Sequence, residues 1–289
     1  MKVSARKLVA SVALLLVVAA CGSDPVDDLA DGVCELPREL REVSAITQAA
    51  DGTLACLQDE LGALFWFDIE GRRPTTTAVF GERGDYEALV RVDADYWLLR
   101  SDGYLARVAH AAGNWRIVGS SWLPGGPREW EALCFDASRR RLLAMPKEGV
   151  GSSKSERDQR ALFAIDLATG VATEAPVCVL QRRSLLRQAE ALGLDVPVRT
   201  TDKGKERAEL ELTISEIAVM PGKAELLLLS AKDHAVLRVD YEGRLLGLRR
   251  LDAAVLPQPE GLTVLADGRL VVASEGAGGA ARLMVVPMP

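Results

Sequence analysis

The 289-residue sequence predicts an all-β protein built as a five-bladed β-propeller, with a six-bladed ring as the alternative. Three features support this prediction. A segment recurs about every 44 residues, apolar and polar residues alternate as they do in strands, and an unpaired strand precedes the first repeat. A repeat of this length that holds several strands is typical of propeller blades.

Five segments share one pattern, which we interpret as the first two strands of each blade. Each opens with an acidic or hydroxyl residue before small or apolar residues, turns at a Gly, Asp or Arg cluster, and continues into a Leu/Val-rich strand. The segments are EVSAITQAADGTLACLQ, DYEALVRVDADYWLLRS, EWEALCFDASRRRLLAM, TISEIAVMPGKAELLLLS and QPEGLTVLADGRLVVAS. Their equivalent residues are spaced 43, 44, 84 and 45 residues apart, at Ser44, Glu87, Glu131, Ser215 and Glu260.

The first 33 residues have the pattern of a targeting signal followed by a tether. Lys2, Arg6 and Lys7 precede an apolar run, which predicts a secretory signal peptide over residues 1–20. The run closes on VAACGS, which resembles a bacterial lipobox, so we expect Cys21 to be lipidated. The alternative is a plain signal peptide that happens to end at a cysteine. Residues 21–33 are acidic and lack an apolar period, as a solvated tether does.

A lipid on Cys21 would hold the protein at a membrane without spanning it. The residue after the cysteine is Gly22 and not Asp, which favours the outer membrane. We therefore expect a lipoprotein of the bacterial cell envelope that faces the periplasm.

The propeller domain is predicted to cover residues 34–289. Further strands follow each opening segment, for example at residues 63–69 and 75–80, which gives four strands per blade. The fifth repeat is one strand short. Residues 34–40, CELPREL, can supply the missing strand and close the ring.

We interpret the extra length of the 84-residue interval as an insertion and not as a sixth blade. Leu185, Leu186, Ala189 and Leu192 have helical spacing within residues 181–194, and the following residues are polar, so we place an insertion at 181–212. A polar segment at residues 147–160 is predicted to be a flexible loop between two strands of the third blade.

Four cysteines follow Cys21: Cys34, Cys56, Cys134 and Cys178. They either form disulfides, as the compartment permits, or act as small buried apolar residues. Cys134 and Cys178 fall on the innermost and outermost strands of one blade, roughly 14 Å apart, so they cannot bond each other.

Acidic residues are predicted to converge on one face of the ring. The innermost strands begin there, with Glu42, Asp85, Glu87, Glu129, Glu131, Glu216 and Glu260 among their first residues. The second strands end there, with Asp59, Glu60, Asp102, Glu148, Asp233 and Glu275. Members of a pair two residues apart, such as Glu42 and Ser44, should point the same way in a strand.

Such a concentration of carboxylates requires a cation or protonation to limit repulsion. Oxygen ligands from several directions suit calcium, whereas the isolated His110 and His234 make zinc or copper a poor fit. The predicted metal ligands are Glu42, Glu87, Glu131, Glu216, Glu260, Asp59, Asp102, Asp233 and Glu275. The alternative is that many of these residues are turn residues on a solvated rim.

The units EVSAI, YEAL, WEAL, SEIAV and especially PEGLTVLADGRLVVASE resemble the SdiA-regulated family of bacterial envelope propellers, which is related to the esterase-like phytase propellers. The resemblance covers about residues 34–287. It implies a propeller in the envelope with a calcium-associated acidic channel mouth at Glu87, Glu131 and Glu260, and with Ser44 and Ser215 at matching places.

Two functions follow as hypotheses. One is a binding propeller that takes a small ligand or a protein at an acidic mouth ordered by calcium. The other is a calcium-dependent phosphoesterase or esterase, with Lys147, Arg100 or Lys232 as nearby cations. The net charge of -6 disfavours a nucleic-acid partner, and we expect a monomer. No catalytic nucleophile or base can be identified, so we favour binding and leave enzymatic activity undecided.

Overall fold

The computed structural model describes residues 32–124, 129–149, 151–200 and 203–289. The signal segment, Cys21 and the tether up to residue 31 lie outside the described residues. Within the described part, no helix has both the length and the apolar character needed to cross a membrane.

Five four-stranded antiparallel sheets form the five blades. Blade 1 contains β2 (Val43–Gln48), β3 (Leu54–Gln58), β4 (Ala63–Asp68) and β5 (Arg73–Val79). Blade 2 contains β6 (Tyr86–Val92), β7 (Asp95–Arg100), β8 (Tyr104–Ala111) and β9 (Asn114–Trp122). Blade 3 contains β10 (Trp130–Asp136), β11 (Arg141–Pro146), β12 (Gln159–Asp166) and β13 (Cys178–Gln181).

Blade 4 contains β16 (Ile214–Val219), β17 (Glu225–Ser230), β18 (Ala235–Asp240) and β19 (Leu245–Arg250). Blade 5 contains β20 (Gln258–Val264), β21 (Leu270–Glu275), β22 (Arg282–Val286) and β1 (Val33–Glu35). The innermost strands β2, β6, β10, β16 and β20 each contact the innermost strands of both neighbouring blades, so the ring closes. The five-bladed prediction is confirmed and the six-bladed alternative is excluded.

The N-terminal strand closes the ring as predicted. β1 pairs with β22, with Cys34 opposite Leu283, and Leu36 N donates to Ala281 O at 2.8 Å. The strand is shorter than the expected residues 34–40. Pro37 has no N–H to donate, and the chain continues into a 3-10 helix at Arg38–Leu40. Leu36 and Leu40 are buried in the apolar core between blades 5 and 1.

The long interval holds an insertion, as predicted. It contains α2 (Arg182–Ala191) and a two-stranded sheet of β14 (Val198–Thr200) and β15 (Glu206–Ala208). Leu185 and Ala189 are buried in the core of blades 3 and 4, and Leu186 packs against that core. Leu192 was expected on the same apolar face but is 58% exposed, because α2 ends at Ala191 and Gly193 turns the chain at a φ of 66°.

The polar segment after β11 lies between two strands of blade 3, as predicted. It contains a one-turn helix, α1 (Lys154–Arg157), which the sequence interpretation as a loop did not include. A capping box stabilises this turn, since Glu156 N donates to the Ser153 hydroxyl and Ser153 N donates to the Glu156 carboxylate.

All four cysteines of the described part are free. Cys56, Cys134 and Cys178 are buried within apolar clusters, and burial raises the pKa of the Cys56 thiol to about 12. The interpretation of these three residues as small apolar core residues is therefore the one that the structure supports.

Candidate functional site

Each innermost strand carries a β-bulge near its start. The strand pairing shifts register between Val43 and Ala45 in blade 1, and the same shift occurs at the matching position of the other four blades. The residues skipped by the pairing are Ser44, Glu87, Glu131, Ser215 and Glu260. These are the five residues that the sequence repeat made equivalent. We call these five residues the inner ring.

The bulges coincide with a difference in burial between residues two positions apart at the channel mouth. Pairs such as Glu42 and Ser44 were expected to point the same way, but Ser44 is buried whereas Glu42 is exposed. Glu131 is likewise buried and Glu129 exposed. The extra residue of a bulge breaks the two-residue period of the strand, and the two members of each of these pairs differ in burial. The acidic residues therefore form two layers, the inner ring and an outer rim.

Lys147 is a basic residue that contacts the inner ring. It follows β11 directly, and its Nζ lies 2.7 Å from Oε1 of the buried Glu131. Its backbone is fixed between blades 3 and 4, because Lys147 N donates to Glu129 O and Ile214 N donates to Lys147 O, both at 2.9 Å. Burial lowers the pKa of Lys147, but the nearby carboxylates outweigh burial and raise that pKa above its ordinary value. From the sequence, Lys147 was predicted only as one of three basic residues near the acidic face.

The three carboxyl groups of the inner ring all have raised pKa values. Burial is the main cause that raises the pKa of Glu87, Glu131 and Glu260 to about 8 each. Repulsion from neighbouring carboxylates adds to this shift, and the charge of Lys147 opposes it. Burial and mutual repulsion therefore both disfavour the charged form of these three carboxyl groups.

A second acidic group lies on the outer rim where blades 5 and 1 meet. Gln58 Nε2 donates to Glu42 Oε2 at 3.1 Å and to Asp59 Oδ1 at 2.9 Å. Burial and then the charge of Glu42 raise the pKa of Asp59 to about 6. Burial and then the charge of Asp59 raise the pKa of Glu275. Among the described residues, these three acids form no ion pair.

Two of the predicted ligands stand apart from both groups. Asp102 is exposed and lies 2.5 Å from Arg100 in a surface ion pair. Asp233 is buried and its oxygens are used by the fold. They accept from Glu211 N at 3.0 Å, Leu212 N at 2.7 Å and the Ser230 hydroxyl at 2.7 Å, and Arg199 adds a contact at 3.2 Å. Asp233 thereby fixes the end of the insertion. Glu60 and Glu148 also pair on the surface, with Arg83 and Lys232.

Glu216 lies one residue beyond the inner ring and deeper in the channel. Its Oε1 accepts from Ile217 N at 2.8 Å and from Leu133 N of the neighbouring blade at 3.1 Å. Burial raises its pKa well above the ordinary value for a glutamate. Glu216 therefore links the innermost strands of blades 3 and 4 below the mouth.

The geometry of the mouth bears on the predicted calcium site. Glu131 Oε2 and the Ser44 hydroxyl are buried and have no hydrogen-bond partner in the described part of the chain, so oxygen donors are available. In those same residues, no three His, Cys, Asp or Glu side chains are gathered closely enough to hold a metal ion. The carboxyl groups are distributed around the ring, and calcium binding stays a prediction.

No protein-family model and no curated protein sequence matches the chain. Among solved structures, the chain is similar to glutaminyl cyclase from Myxococcus xanthus, with a TM-score of 0.54 and 14% identity over 88% of this chain and 95% of that one. It is also similar to a putative oxidoreductase (glucose dehydrogenase) from Thermus thermophilus, with a TM-score of 0.49 and 11% identity over 88% and 99% of the two chains. A streptogramin B lyase gives a TM-score of 0.47 and 12% identity over 88% and 97%. These neighbours are β-propeller proteins, and at 14% identity the likeness to the glutaminyl cyclase shows the fold alone.

Proposed function

We propose that this protein is a lipid-anchored propeller of the bacterial cell envelope whose channel mouth binds a cation, and with it a small ligand or a partner protein. Calcium is the cation that we propose. The observation that supports the proposal is the charge of the inner ring, where the ammonium group of Lys147 pairs with Glu131 and is also acted on by the charges of Glu87 and Glu260.

The charge balance favours a divalent cation. When Glu87, Glu131 and Glu260 are all ionised, Lys147 leaves two negative charges uncompensated, and one calcium ion would balance them. Calcium accepts oxygen ligands with loose geometry, and Glu131 Oε2 and the Ser44 hydroxyl are oxygens of this kind. Because the carboxyl groups are spread around the ring, we expect Glu87 and Glu260 to turn inward when calcium binds.

Binding accounts for the site better than phosphoester hydrolysis does. A phosphoesterase at this mouth would need basic side chains that are free to hold phosphate oxygens. Lys147 pairs with Glu131, Arg100 with Asp102, and Lys232 with Glu148. The three cations considered for that role are therefore already engaged. The resemblance of PEGLTVLADGRLVVASE to the SdiA-regulated propellers is consistent with an envelope protein of this kind, and that membership is part of the proposal.

Calcium titration followed by thermal unfolding tests the mouth. The protein without residues 1–21 is compared with a variant in which Glu87, Glu131 and Glu260 are changed to Gln. We expect millimolar calcium to raise the melting temperature of the protein with the unmodified inner ring, because a ligand that binds only the folded state stabilises it. The melting temperature of the variant should not change. No calcium response in either protein would refute the cation site.

The proposed anchor has a separate test, because Cys21 lies outside the described residues. Replacing residues 1–21 of the full-length chain with the cleavable signal peptide of a secreted protein that carries no lipid should move the protein from the membrane fraction to the soluble fraction of the cell envelope, since the acyl chains supply the membrane affinity. Retention of the variant in the membrane fraction would contradict lipid anchoring at this residue.

A further inference from the structure

The insertion between blades 3 and 4 contains a cavity of about 320 Å³. One wall is a face of α2, and the other is the segment that begins at the end of β15. Four arginine side chains line this space, which we call the arginine cavity: Arg182, Arg183, Arg187 and Arg207. The chain as a whole carries a net charge of -6, so four basic groups around one cavity differ sharply from the rest of the molecule.

The three arginines of α2 have few partners. Arg182 Nε lies 3.6 Å and Arg183 Nε 3.5 Å from the same atom, Asp158 Oδ1, so one carboxylate serves two guanidinium groups and holds them close together. Arg182 Nε is buried and makes no hydrogen bond within the described residues. Arg187 is exposed, and its side chain forms no ion pair with any described residue. Donor groups of these arginines are therefore available to a ligand.

The arginine cavity has a net positive charge. Arg207 donates to both carboxylate oxygens of Glu209, at 2.8 and 3.3 Å, so the charges of these two residues cancel. Asp158 balances only one of the three arginines on α2. Two positive charges are left, and a phosphomonoester carries a charge of about −1.5 to −2 near pH 7. The charge of the cavity therefore matches that of a phosphomonoester.

The local sequence of α2 is unfavourable in the absence of an anion. Arg182 and Arg183 lie in the first turn, where the helix dipole disfavours positive charge, and this turn has neither an acidic residue nor a side-chain cap. Arg183 and Arg187 are four residues apart, and like charges at this spacing repel each other on a helix. A bound anion would relieve both effects.

A phosphate group suits the donors of this cavity. Guanidinium groups are planar and donate pairs of parallel hydrogen bonds to phosphate oxygens. At about 30 Å³ per water, the cavity has space for roughly ten waters, which exceeds the space that one phosphate group needs. The remaining space would accept part of the molecule that carries the phosphate.

We propose that the arginine cavity binds the phosphate group of a phosphomonoester, with Arg182, Arg183 and Arg187 donating to its oxygens. A soluble phosphorylated molecule and the headgroup of phosphatidic acid share this chemistry. The described wall of the cavity includes no residue of the inner ring, so this proposal does not depend on calcium binding at the mouth.

Calorimetric titration with glycerol 3-phosphate and dimethyl phosphate tests the site, in calcium-free buffer and on the purified protein without residues 1–21. We expect saturable binding of glycerol 3-phosphate and about tenfold weaker binding of dimethyl phosphate, because the diester carries less negative charge. Arg187→Gln should weaken the binding of glycerol 3-phosphate by about tenfold, since a charge-assisted hydrogen bond is lost. The matched control Arg116→Gln removes an exposed arginine of β9 and should bind within about twofold of the unmodified protein.

A vesicle flotation assay separates the two sources of the phosphate group. Vesicles of phosphatidylcholine with phosphatidic acid are compared with vesicles that carry phosphatidylglycerol, a diester. Retention on phosphatidic acid that glycerol 3-phosphate displaces would support the proposal with a lipid headgroup as the ligand. Calorimetric binding of glycerol 3-phosphate without retention on vesicles would support it with a soluble ester as the ligand.

The comparison of monoester and diester on the unmodified protein keeps the test decisive if the Arg187 variant fails to fold. Absence of saturable binding of glycerol 3-phosphate, equal affinity for dimethyl phosphate, or unchanged affinity in a folded Arg187→Gln would each overturn the proposal.

Discussion

Burial and repulsion oppose ionisation of the inner-ring glutamates, so each of these residues weakens the folded state once it is charged. Glu260 shows this plainly. Its pKa is raised to about 8, first by burial and then by Glu275 and Glu87, against the opposing charge of Lys147. Such a group binds its proton more tightly in the folded chain than in the unfolded one. The mouth is therefore a place where proton binding and stability are linked, and the proposed cation would compete with those protons.

This linkage predicts a pH dependence with a definite sign. In calcium-free buffer the melting temperature should fall as the pH rises from 5 to 9, because the folded state loses protons near pH 8 that the unfolded state has already lost near its ordinary carboxyl pKa. Glu260→Gln cannot ionise, so its curve should be shallower and should lie above that of the unmodified protein at pH 9. Parallel curves for the two proteins would contradict a raised pKa at Glu260.

Asp233 and Asp102 provide a matched pair of aspartates with opposite roles. Asp233→Asn places an amide donor against the backbone N–H groups of Glu211 and Leu212, so we expect a loss of roughly 1–3 kcal/mol in the free energy of unfolding. Asp102→Asn alters an exposed ion pair and should change stability by less than about 1 kcal/mol. Chemical denaturation of both variants measures the difference. Equal losses would show that Asp233 does not stabilise the insertion.

At the scale of elements, the repeat could be predicted because it depends on local chemistry. Small and apolar residues at fixed register, turn residues and Leu/Val-rich strands recur in every blade, and they placed Ser44, Glu87 and their equivalents correctly. The different burial of acidic and hydroxyl residues two positions apart could not be predicted in the same way. A β-bulge depends on how two strands pair, and a single strand's sequence of residues does not reveal it. The Glu42 and Ser44 pair therefore separated into two layers.

Lys147 and Asp233 show the same limitation in loops. Each residue comes just after the second strand of its blade. At these positions the sequence predicted acidic residues on one common face. Lys147 turns into the mouth because its backbone hydrogen bonds fix it between two blades, and Asp233 turns into the core because the insertion supplies donors for it. These contacts join residues far apart in the sequence, so only the assembled ring determines them.

The insertion helix offers a prediction at the same scale. Gln181 is the N-cap of α2 but makes no side-chain capping hydrogen bond, and the first turn contains no acidic residue. Gln181→Asp should stabilise the protein by about 0.5–1 kcal/mol, because a carboxylate at this position accepts from free N–H groups and complements the helix dipole. A rise of roughly 1–4 °C in melting temperature would agree with this. Gln181→Asn, the uncharged control, should give part of the gain, and no gain in either variant would contradict it.

At the scale of the whole molecule, stability depends on closing the ring. Each innermost strand contacts two neighbours, and the apolar cores lie between adjacent blades, so no blade has a complete core of its own. Blade 5 reaches four strands only because β1 comes from the other end of the described chain. The inner ring requires all five blades, and the closing strand therefore supports the candidate site as well as the fold.

Removal of the closing strand should show this dependence. Deleting residues 22–36 takes away β1 and the buried Leu36, whereas deleting residues 22–31 leaves both in place and serves as the control. We expect the longer deletion to lower the melting temperature by roughly 5–10 °C, since losing a buried leucine alone costs about 2–5 kcal/mol. It should also increase self-association, because β22 becomes an unpaired edge that can pair with another chain. Light scattering and thermal unfolding of the two proteins measure both effects. Identical behaviour of the two deletions would show that the ring holds together without its closing strand.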